Sequence, residues 1–563
     1  MPQRLTPKLF TVLKDYNTEQ LIKDCTAGIL VGIIAFPLAI ALAVSSGVSP
    51  EMGINTAIVA GFIISFLGGS RVQVGGPTAA FVPIVFNIVN QHGIDGLMIA
   101  TIMAGFILII MGVCKFGVVI KYIPYPVVTG FTSGIAVSIL IKQLKELLGL
   151  TFAKTPGETI ELITTYIQNL HNINLPTFSM GILSLLTIIV LVKYATKITK
   201  YIPPSLIAII VTSYIVYYFD FTSIATVGSV YQDLNADTFH FHLPTAINMA
   251  LIKELMESAF SIAVLAGIES LLSAVIADGM IGGRHRSNAE LIAQGVANVC
   301  SACFCGIPAT GAIARTATNV KNGGRTPIAG IVHAITVLII MLLCMPLAKM
   351  IPLTCLAAIL IIVAYNMGEW QVFRDIYNAP KSDALVFLAT FALTVIFDLT
   401  IAIKVGLILA AFLFIRKMAD VTEINQLVDF DEGDELSDTS MRLNIYKQLG
   451  NQALLYEIRG PFFFGAVDKL ADTINKINIT TKLIILKMHE VPTIDSTGIH
   501  SLKTLYKTCH HNGITIYFTN LRVKPYKLLQ KTGFINMLGE QYFCNSIAHA
   551  LKHYKEEHLP ETT

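Results

Sequence analysis

Apolar segments recur along the first 416 residues of this 563-residue chain, and many approach the roughly 20 residues that a helix needs to cross a bilayer. Overall, 54% of the residues are hydrophobic and 14% are charged, whereas a soluble domain has about 25% charged residues. A soluble protein could not keep so much apolar surface from water. The net charge of +3 is too small for a nucleic-acid-binding protein. The chain is therefore expected to cross a membrane many times.

We expect fourteen membrane segments, numbered here in chain order. They lie near residues 26–46, 53–69, 76–90, 95–113, 124–143, 178–193, 203–218, 254–278, 289–305, 309–320, 327–348, 352–367, 383–398 and 400–415. Seven segments in each half would give the halves opposite orientations, the inverted-repeat architecture of secondary transporters. Lys and Arg concentrate in the loops after even-numbered segments, which predicts that both termini are cytoplasmic.

The composition changes near residue 416, which predicts a second domain. The expected divisions are a cytoplasmic N-terminal segment 1–24, a transmembrane domain 25–416, an acidic linker 417–440, a small α/β domain 441–556 and a tail 557–563. The α/β prediction rests on apolar runs of strand length at 453–458, 482–487 and 514–519, separated by helical stretches. After the second run, Asp495 or Ser496 is expected to cap a helix.

Segments 3 and 10 carry Gly and Pro at matching positions. Segment 3 opens with VGGPTAA at 74–80, and segment 10 opens with GIPATGA at 306–312. Each pattern predicts an extended stretch followed by a half-helix whose free N–H groups favour an anion. The alternative is a pair of ordinary loops, which the matching positions disfavour. The expected substrate-binding residues are Pro77, Thr78, Ala79, Ala80, Phe81, Ala312, Ala314, Arg315 and Thr316.

Ionisable residues inside membrane segments are rare and often mark coupling sites. Glu269 lies in the middle of segment 8, and Ser273 shares its helical face, so both are candidates for proton coupling. The alternative is a protonated Glu269 that only joins helices. Arg315 lies about one turn into segment 10, where it would attract an anion or pair with a carboxylate such as Glu269. A cytoplasmic capping and packing network is expected from Asp278, Arg284, His285, Asn288 and Glu290.

Several of these motifs together resemble the SulP anion transporters. The resemblance covers nearly the whole chain and rests on GPTAA at 76–80, GFTSG at 130–134, IES at 268–270 and TGAIART at 310–316. It implies a seven-plus-seven fold with core and gate domains, an elevator-like movement and a dimer. It also places the anion between the ends of segments 3 and 10, facing segments 1 and 8.

The resemblance also suggests a substrate and a coupling ion. Members similar to sodium-driven bicarbonate transporters carry Asp and Thr where this chain has Glu269 and Ser273. This chain therefore looks closer to the proton-coupled, C4-dicarboxylate branch of the family. The C-terminal domain resembles a STAS domain, the fold of anti-sigma factor antagonists. Their phosphorylated serine matches Ser496, which is thus a candidate regulatory phosphorylation site.

The sequence therefore predicts a secondary active transporter of the inner membrane. It would take up a C4-dicarboxylate such as succinate, fumarate or aspartate together with protons. The alternatives are a sulfate or bicarbonate transporter coupled to protons or sodium, and an uncoupled anion channel or exchanger. We expect no enzyme activity, metal, cofactor or nucleic acid. The expected partners are the lipid membrane, a second copy of the chain and a cytoplasmic protein bound by the STAS domain.

Overall fold

A computed structural model describes residues 5–117, 124–152, 156, 159–195, 202–232, 239–244, 248–397, 399–426, 452–463 and 481–558. The chain forms two compact units, Met1–Leu409 and Ala410–Thr563. Most of the predicted acidic linker lies outside the described residues, including the acidic side chains at 429–438. Each unit is described by itself below.

Each of the fourteen predicted segments falls on a helix, and segments 3 and 4 share one. In the first half the helices are Thr18–Ser45, Pro50–Leu67, Ala79–Phe81 running into Val82–Val113, Tyr125–Leu148, Leu175–Tyr194 and Pro204–Tyr218. In the second half they are Met249–Ile281, Ser287–Cys303, Ile313–Lys321, Ile328–Ala348, Leu353–Met367, Lys381–Ile396 and Leu399–Val421. Short helices lie between them at Leu9–Val12, Thr159–Gln168, Val227–Val230 and Trp370–Asp375.

These helices differ in whether they can cross a bilayer alone. Within the described ranges, seven are long and apolar enough by length and composition, or eight if the bent pair Leu353–Met367 and Trp370–Asn378 forms one span. The helix Val82–Val113 contains both segments 3 and 4. Its 32 residues would extend about 48 Å at 1.5 Å per residue, well beyond a hydrocarbon core of about 30 Å. Gly93, with a φ of 67°, interrupts it and separates the two segments.

The helix of segment 1 begins at Thr18, earlier than predicted. The Asn17 side chain caps it by accepting a hydrogen bond from the Gln20 amide at 2.8 Å. Six residues into the helix, the buried Asp24 accepts hydrogen bonds from the Arg325 amide at 2.8 Å and the Thr326 hydroxyl at 2.5 Å. The start of segment 1 is thereby joined to the turn before segment 11.

The packing repeats between the two halves. Segment 1 packs on segment 11 as segment 8 packs on segment 4, and segment 2 packs on segment 11 as segment 9 packs on segment 4. Segment 5 packs on segment 13 as segment 12 packs on segment 6. Shifting both segments of a pair by seven places, counted around the fourteen, gives the second pair of each comparison, as an inverted repeat requires. Segments 1–4 with 8–11 form a core group, and segments 5–7 with 12–14 form a gate group.

A two-stranded ladder lies where the two broken segments meet. Strand β1 (Gly75–Pro77) pairs antiparallel with β2 (Ala309–Gly311), and Gly76 faces Thr310 at the centre. Exchanging the strands maps this register onto itself, so the local two-fold axis passes through the Gly76–Thr310 pair. The free edge of β2 is satisfied by Asn298, whose side chain bonds both the amide and the carbonyl of Ala309 at 2.9 Å.

The second unit contains a five-stranded sheet. Its order is β3 (Glu423–Gln426), β4 (Ala453–Arg459), β5 (Leu483–Glu490), β6 (Thr515–Thr519) and β7 (Phe543–Cys544). Strand β3 is antiparallel to β4 and the other neighbours are parallel. The helices are Ser496–His511, Val523–Lys531, Phe534–Leu538 and Ile547–His558. The three predicted strands are confirmed, whereas the connection between β4 and β5 falls outside the described residues.

The two faces of this sheet are both covered. Leu486 and Phe518 pack with Leu502 of the helix Ser496–His511 on one face, while Ile485 and Tyr517 pack with the last helix on the other. This alternation follows from the period of two along a strand. The small α/β domain that the run pattern predicts is thus present, with the antiparallel strand β3 at one edge of the sheet.

An ion-pair group lies across β4 and β5. The Glu457 carboxylate contacts Lys487 Nζ at 2.9 Å and Arg459 Nη2 at 2.7 Å. Burial raises the pKa of Glu457, but the hydrogen bonds and charges of these two cations outweigh burial and leave the pKa below its usual value. The carboxylate therefore stays charged at neutral pH and joins the two strands.

The substitution Gly311→Ala tests the ladder. A Cβ at Gly311 would overlap the Gln73 side chain, whose amide donates to Ser270 Oγ at 3.1 Å. Because overpacking of a tight interior costs about 1–3 kcal/mol, we expect a lower thermal unfolding temperature for the detergent-solubilised protein. Gly279→Ala is the matched control, since a Cβ at Gly279 meets nothing within 4 Å. Equal unfolding temperatures for Gly311→Ala and the native chain would contradict the close approach at β2.

Candidate functional site at the two broken segments

Two helix N-termini begin directly after the ladder strands. Thr78 precedes the helix Ala79–Phe81, and its hydroxyl accepts a hydrogen bond from the Ala80 amide at 3.1 Å. Ala312 is the corresponding residue before the helix Ile313–Lys321. Because the strands are antiparallel, the positive ends of the two helix dipoles flank the same three-residue ladder. The extended stretch and half-helix expected in each broken segment are both present.

The predicted binding residues differ in exposure. Pro77, Ala79, Ala80 and Phe81 are almost completely buried, and Thr78 is partly exposed. On the other side, Ala312 is partly exposed, Ala314 is exposed, and Ile313 is 37% exposed. The N-terminus of segment 10 therefore presents the open side of the site, while segment 3 contributes mainly Thr78.

Arg315 is a buried cation against the ladder. Only 3% of it is exposed, and its Nη2 donates a hydrogen bond to the Pro77 carbonyl at 3.0 Å. Nε and Nη1 have no hydrogen-bond partner, and in the described part of the chain no carboxylate lies within 4.0 Å of the guanidinium. The alternative pairing with Glu269 is not formed. A Cβ at Gly76 would overlap Nη1, so the glycine gives the guanidinium its place beside the strand.

Glu269 and Ser273 face different partners. Glu269 is partly exposed, and its Oε2 accepts a hydrogen bond from the Thr78 hydroxyl at 3.1 Å. Ser273 is buried, and its hydroxyl donates to Thr316 Oγ1 at 3.3 Å. Thr316 Oγ1 also accepts from the Val74 amide at 3.1 Å. Segment 8 is thus joined to segment 3 through Glu269 and to segment 10 through Ser273.

The predicted network after segment 8 is present in part, since Asp278, His285, Asn288 and Glu290 form hydrogen bonds whereas Arg284 is exposed and, among the described residues, contributes only its backbone carbonyl. Glu290 also extends the network deeper than expected. At the turn, Asp278 Oδ2 lies 2.7 Å from His285 Nδ1. Glu290 itself is fully buried and accepts hydrogen bonds from the Gly69 and Ser70 amides at 2.8 and 3.0 Å. Two side chains complete its shell, Ser270 at 3.3 Å and Gln294 at 2.9 Å. Glu290 thereby holds the connection between segments 2 and 3 against segment 8.

Sequence analysis missed His333 as a neighbour of the site. This residue of segment 11 is fully buried behind β1, where a Cβ at Gly61 would lie 3.7 Å from His333 Nε2 and 3.3 Å from the Gly75 carbonyl oxygen. The available signal was a lone histidine within an apolar segment. Segment 11 thereby places a buried imidazole ring beside β1.

In the C-terminal unit, Asp495 is the helix cap. Its Oδ1 accepts a hydrogen bond from the Gly498 amide at 2.6 Å. Ser496 is the first residue of the helix Ser496–His511 and is exposed. The two expected capping candidates therefore separate: Asp495 caps the helix, and Ser496 faces solvent.

Comparison with known proteins identifies the family. The model of the sulfate permease family matches residues 21–390, and that of the STAS domain matches residues 443–550. The chain belongs to the sulfate permease family and is an anion transporter with a C-terminal STAS domain, not an enzyme. The predicted family and polytopic fold are thus confirmed, whereas the C4-dicarboxylate substrate stays a prediction.

Two curated relatives match along nearly their whole length. The chain is 38% identical over 532 residues to "Putative sulfate transporter YvdB" of Bacillus subtilis, covering 94% of this chain and 97% of the relative. It is 28% identical over 552 residues to "Bicarbonate transporter BicA" of Picosynechococcus sp., covering 94% of each. The two names mention different inorganic anions, so the comparison leaves the substrate of this chain open.

Two solved structures share the fold. The structure of SLC26A9 matches with a TM-score of 0.86 at 19% identity, covering 98% of this chain and 93% of that one. The transmembrane domain of a cyanobacterial BicA matches with a TM-score of 0.61 at 25% identity, covering 72% of this chain and 100% of that one. The first match extends through the STAS domain, and the second concerns the transmembrane domain alone.

Proposed function

We propose that this protein takes up a small anion together with protons across the cytoplasmic membrane. The observation that carries the proposal is Arg315, a buried guanidinium whose Nε and Nη1 lack hydrogen-bond partners beside two helix N-termini. A buried charge without a partner is costly, so an anion bound at this position offsets the cost. The anion contacts are assigned to Thr78 on segment 3 and to Ala312, Ala314 and Arg315 on segment 10.

The substrate that this geometry supports best is a compact oxyanion such as sulfate. One guanidinium and two helix N-termini meet around a ladder three residues long, which suits a single concentrated charge. The names of the relatives also mention sulfate and bicarbonate. A C4-dicarboxylate is the second candidate, favoured by the exposed Ile313 beside the N-terminus of segment 10, which offers an apolar surface for a carbon chain.

Coupling to protons is assigned to Glu269, with Ser273 supporting segment 10. A charged Glu269 repels an anion at the adjacent N-termini, and a protonated Glu269 does not. Binding of the anion and of the proton therefore favour each other, as reciprocal linkage requires. The net movement is one anion with at least one proton, carried by displacement of the core group against the gate group.

The structure has three side-chain contacts that would hold one state of this movement. Gln143 donates to Ser45 Oγ at 3.0 Å, Lys142 Nζ lies 4.5 Å from the centre of the Phe86 ring, and Lys404 pairs with Glu257. Each contact joins the gate group to the core group. All three lie on the side of the membrane where segment 1 ends, so we assign the structure to a state closed on that side.

The remaining assignments concern topology and the second unit. Both termini are assigned to the cytoplasm, with the transport domain at 25–416 and the STAS domain at 441–556. The loops after even-numbered segments carry most of the Lys and Arg, which supports this orientation. We assign the working form to a homodimer, the STAS domain to contacts with a cytoplasmic protein, and Ser496 to regulation by phosphorylation.

Replacing Arg315 tests the anion site. We expect Arg315→Gln to abolish saturable binding of labelled sulfate by the purified protein, because the buried positive charge is gone. Arg315→Lys keeps a charge but loses the planar group that reaches the Pro77 carbonyl, so its affinity is expected to fall by about tenfold, or ~1.4 kcal/mol. Arg325→Gln, outside the site, serves as the control. Native sulfate affinity in Arg315→Gln would contradict the assignment.

Replacing Glu269 tests the coupling. In proteoliposomes, we expect an imposed proton gradient to drive accumulation of sulfate or succinate by the native chain. Glu269→Gln is expected to lose this response while still exchanging labelled for unlabelled anion, since the glutamine carries neither charge nor a transferable proton. Glu254→Gln is the control, because this glutamate lies on the same helix and its side chain is 65% exposed.

The outcomes of this experiment separate the alternatives. Unchanged proton-driven accumulation in Glu269→Gln would overturn the coupling assignment. Accumulation driven only by a sodium gradient would identify a sodium-coupled transporter. A native chain that never accumulates anion against its gradient would be a channel or exchanger.

Weakening the Lys404–Glu257 pair tests the movement. The side chains are 45% and 55% exposed, so the pair contributes about 1 kcal/mol or less. We expect Glu257→Gln to raise the fraction of molecules that are open on that side by up to about fivefold. The measurement is the labelling rate of Ile313→Cys by a membrane-impermeant maleimide added on that side, compared with the chain lacking this cysteine. The charge swap of Glu257→Lys with Lys404→Glu is expected to restore slow labelling. Equal rates in all variants would contradict a role of this ion pair in keeping that side closed.

A further inference from the structure

The Thr78 hydroxyl forms one hydrogen bond to each part of the proposed site. It donates to Glu269 Oε2 at 3.1 Å and accepts from the Ala80 amide at 3.1 Å. One partner is the carboxyl group assigned to the proton, and the other belongs to the N-terminus assigned to the anion. Thr78 is partly exposed, so its hydroxyl borders the open side of the site.

A hydroxyl group has one proton to donate and two lone pairs that accept. A charged carboxylate can only accept, so a charged Glu269 takes the single proton of the Thr78 hydroxyl. A protonated carboxyl group can donate, and it then gives its O–H to a lone pair of Thr78 Oγ1. The Thr78 proton is free in that state to point at another acceptor, while the other lone pair still caps the Ala80 amide.

We propose that Thr78 is the positioning residue through which protonation of Glu269 strengthens anion binding. The inference rests on the proposed function for the roles of Glu269 and the two N-termini. A proton from solution binds a Glu269 carboxylate oxygen, the resulting O–H donates to Thr78 Oγ1, and the Thr78 O–H turns to an oxygen of the anion. No covalent bond of the protein forms or breaks except the O–H bond at Glu269.

The surroundings of Glu269 leave this role to Thr78. Within the described ranges, Thr78 provides the only side-chain hydrogen bond to Glu269. Among the described residues, the other charged or titratable groups on the elements around it make no hydrogen bond to Glu269. They are Arg315 directed at Pro77, Glu290 with its four donors, His333 behind β1, His92 near Glu254, and Asp278 with His285. Ser273, on the same face as Glu269, bonds to Thr316 instead.

The two-fold relation of the ladder sharpens the assignment. The register of β1 and β2 makes Ala312 the counterpart of Thr78. Ala312 has no hydroxyl, so the half-helix of segment 10 has no equivalent connection to a carboxyl group. The hydrogen-bonded route from Glu269 to the anion therefore runs through segment 3.

The test measures the affinity of the purified full-length protein for labelled sulfate between about pH 5.5 and 8. If the native chain transports succinate and not sulfate, succinate is the probe. We expect native affinity to rise as the pH falls. In Thr78→Val, affinity at the acid end is expected to fall about tenfold, because a hydrogen bond to a charged group is lost, and the pH dependence is expected to flatten. Thr78→Ser keeps the hydroxyl and is expected to restore both.

Two further variants guard against a purely structural effect. Thr78→Asn keeps a good N-cap, yet its amide N–H donates in both protonation states of Glu269, so we expect stable protein with a flattened pH dependence. Thr101→Val removes a buried hydroxyl that bonds only the Leu97 carbonyl of its own helix, at 2.7 Å. This control is expected to keep the native affinity and pH profile.

Glu269→Gln, measured in parallel, distinguishes the possible failures. If Glu269→Gln loses the pH dependence while Thr78→Val keeps it in full, the inference about Thr78 is overturned and the proposed coupling stands. If Thr78→Val weakens binding by the same factor at every pH, Thr78 is only an anion ligand and the inference is again overturned. If Glu269→Gln keeps the native pH dependence, the proposed coupling fails and the inference fails with it.

Discussion

The pairing of β1 with β2 is the interaction on which the rest of this transporter depends. A bilayer offers no water to bond an interrupted backbone, so a chain that leaves the helical conformation there must find other partners. Here the two interruptions satisfy each other through the ladder around Gly76 and Thr310. Side chains complete the outer edge, with Asn298 bonding both polar groups of Ala309 and Thr56 accepting from the Ile307 amide at 2.7 Å.

The same pairing creates the charge of the site. Antiparallel strands that each lead into a helix bring two positive helix ends together. Arg315 adds a full charge, and it reaches the strand because Gly76 has no side chain. The backbone at Gly76, with a φ of 150°, is also one that other residues rarely adopt. Position 76 therefore requires glycine both for its backbone conformation and for the space that the Arg315 guanidinium occupies.

Much of this arrangement could be predicted from the sequence because its signals are local. Gly and Pro before a run of small residues marked both broken segments, and an ionisable residue within an apolar run marked Glu269 and Arg315. The contacts between distant segments left no such signal. Glu290 bonds the Gly69 amide across 221 positions, and Thr78 bonds Glu269 across 191. Periodicity indicated that Ser273 shares a face with Glu269, but the rotation of the helix directs its hydroxyl to Thr316.

Function in this fold depends on where the two halves differ. The repeat makes the ladder symmetric, and a fully symmetric site would have two equal helix ends and no preferred order of binding. The two-fold relation of the ladder makes Thr78 equivalent to Ala312, and Phe81 equivalent to Arg315. One half thereby carries the hydroxyl that contacts the Glu269 carboxyl group, and the other carries the buried Arg315 guanidinium. The symmetric backbone brings the two helix ends together, and these two differences between the halves place the carboxyl contact on segment 3 and the guanidinium on segment 10. Under the proposed function, they separate the proton site from the anion site.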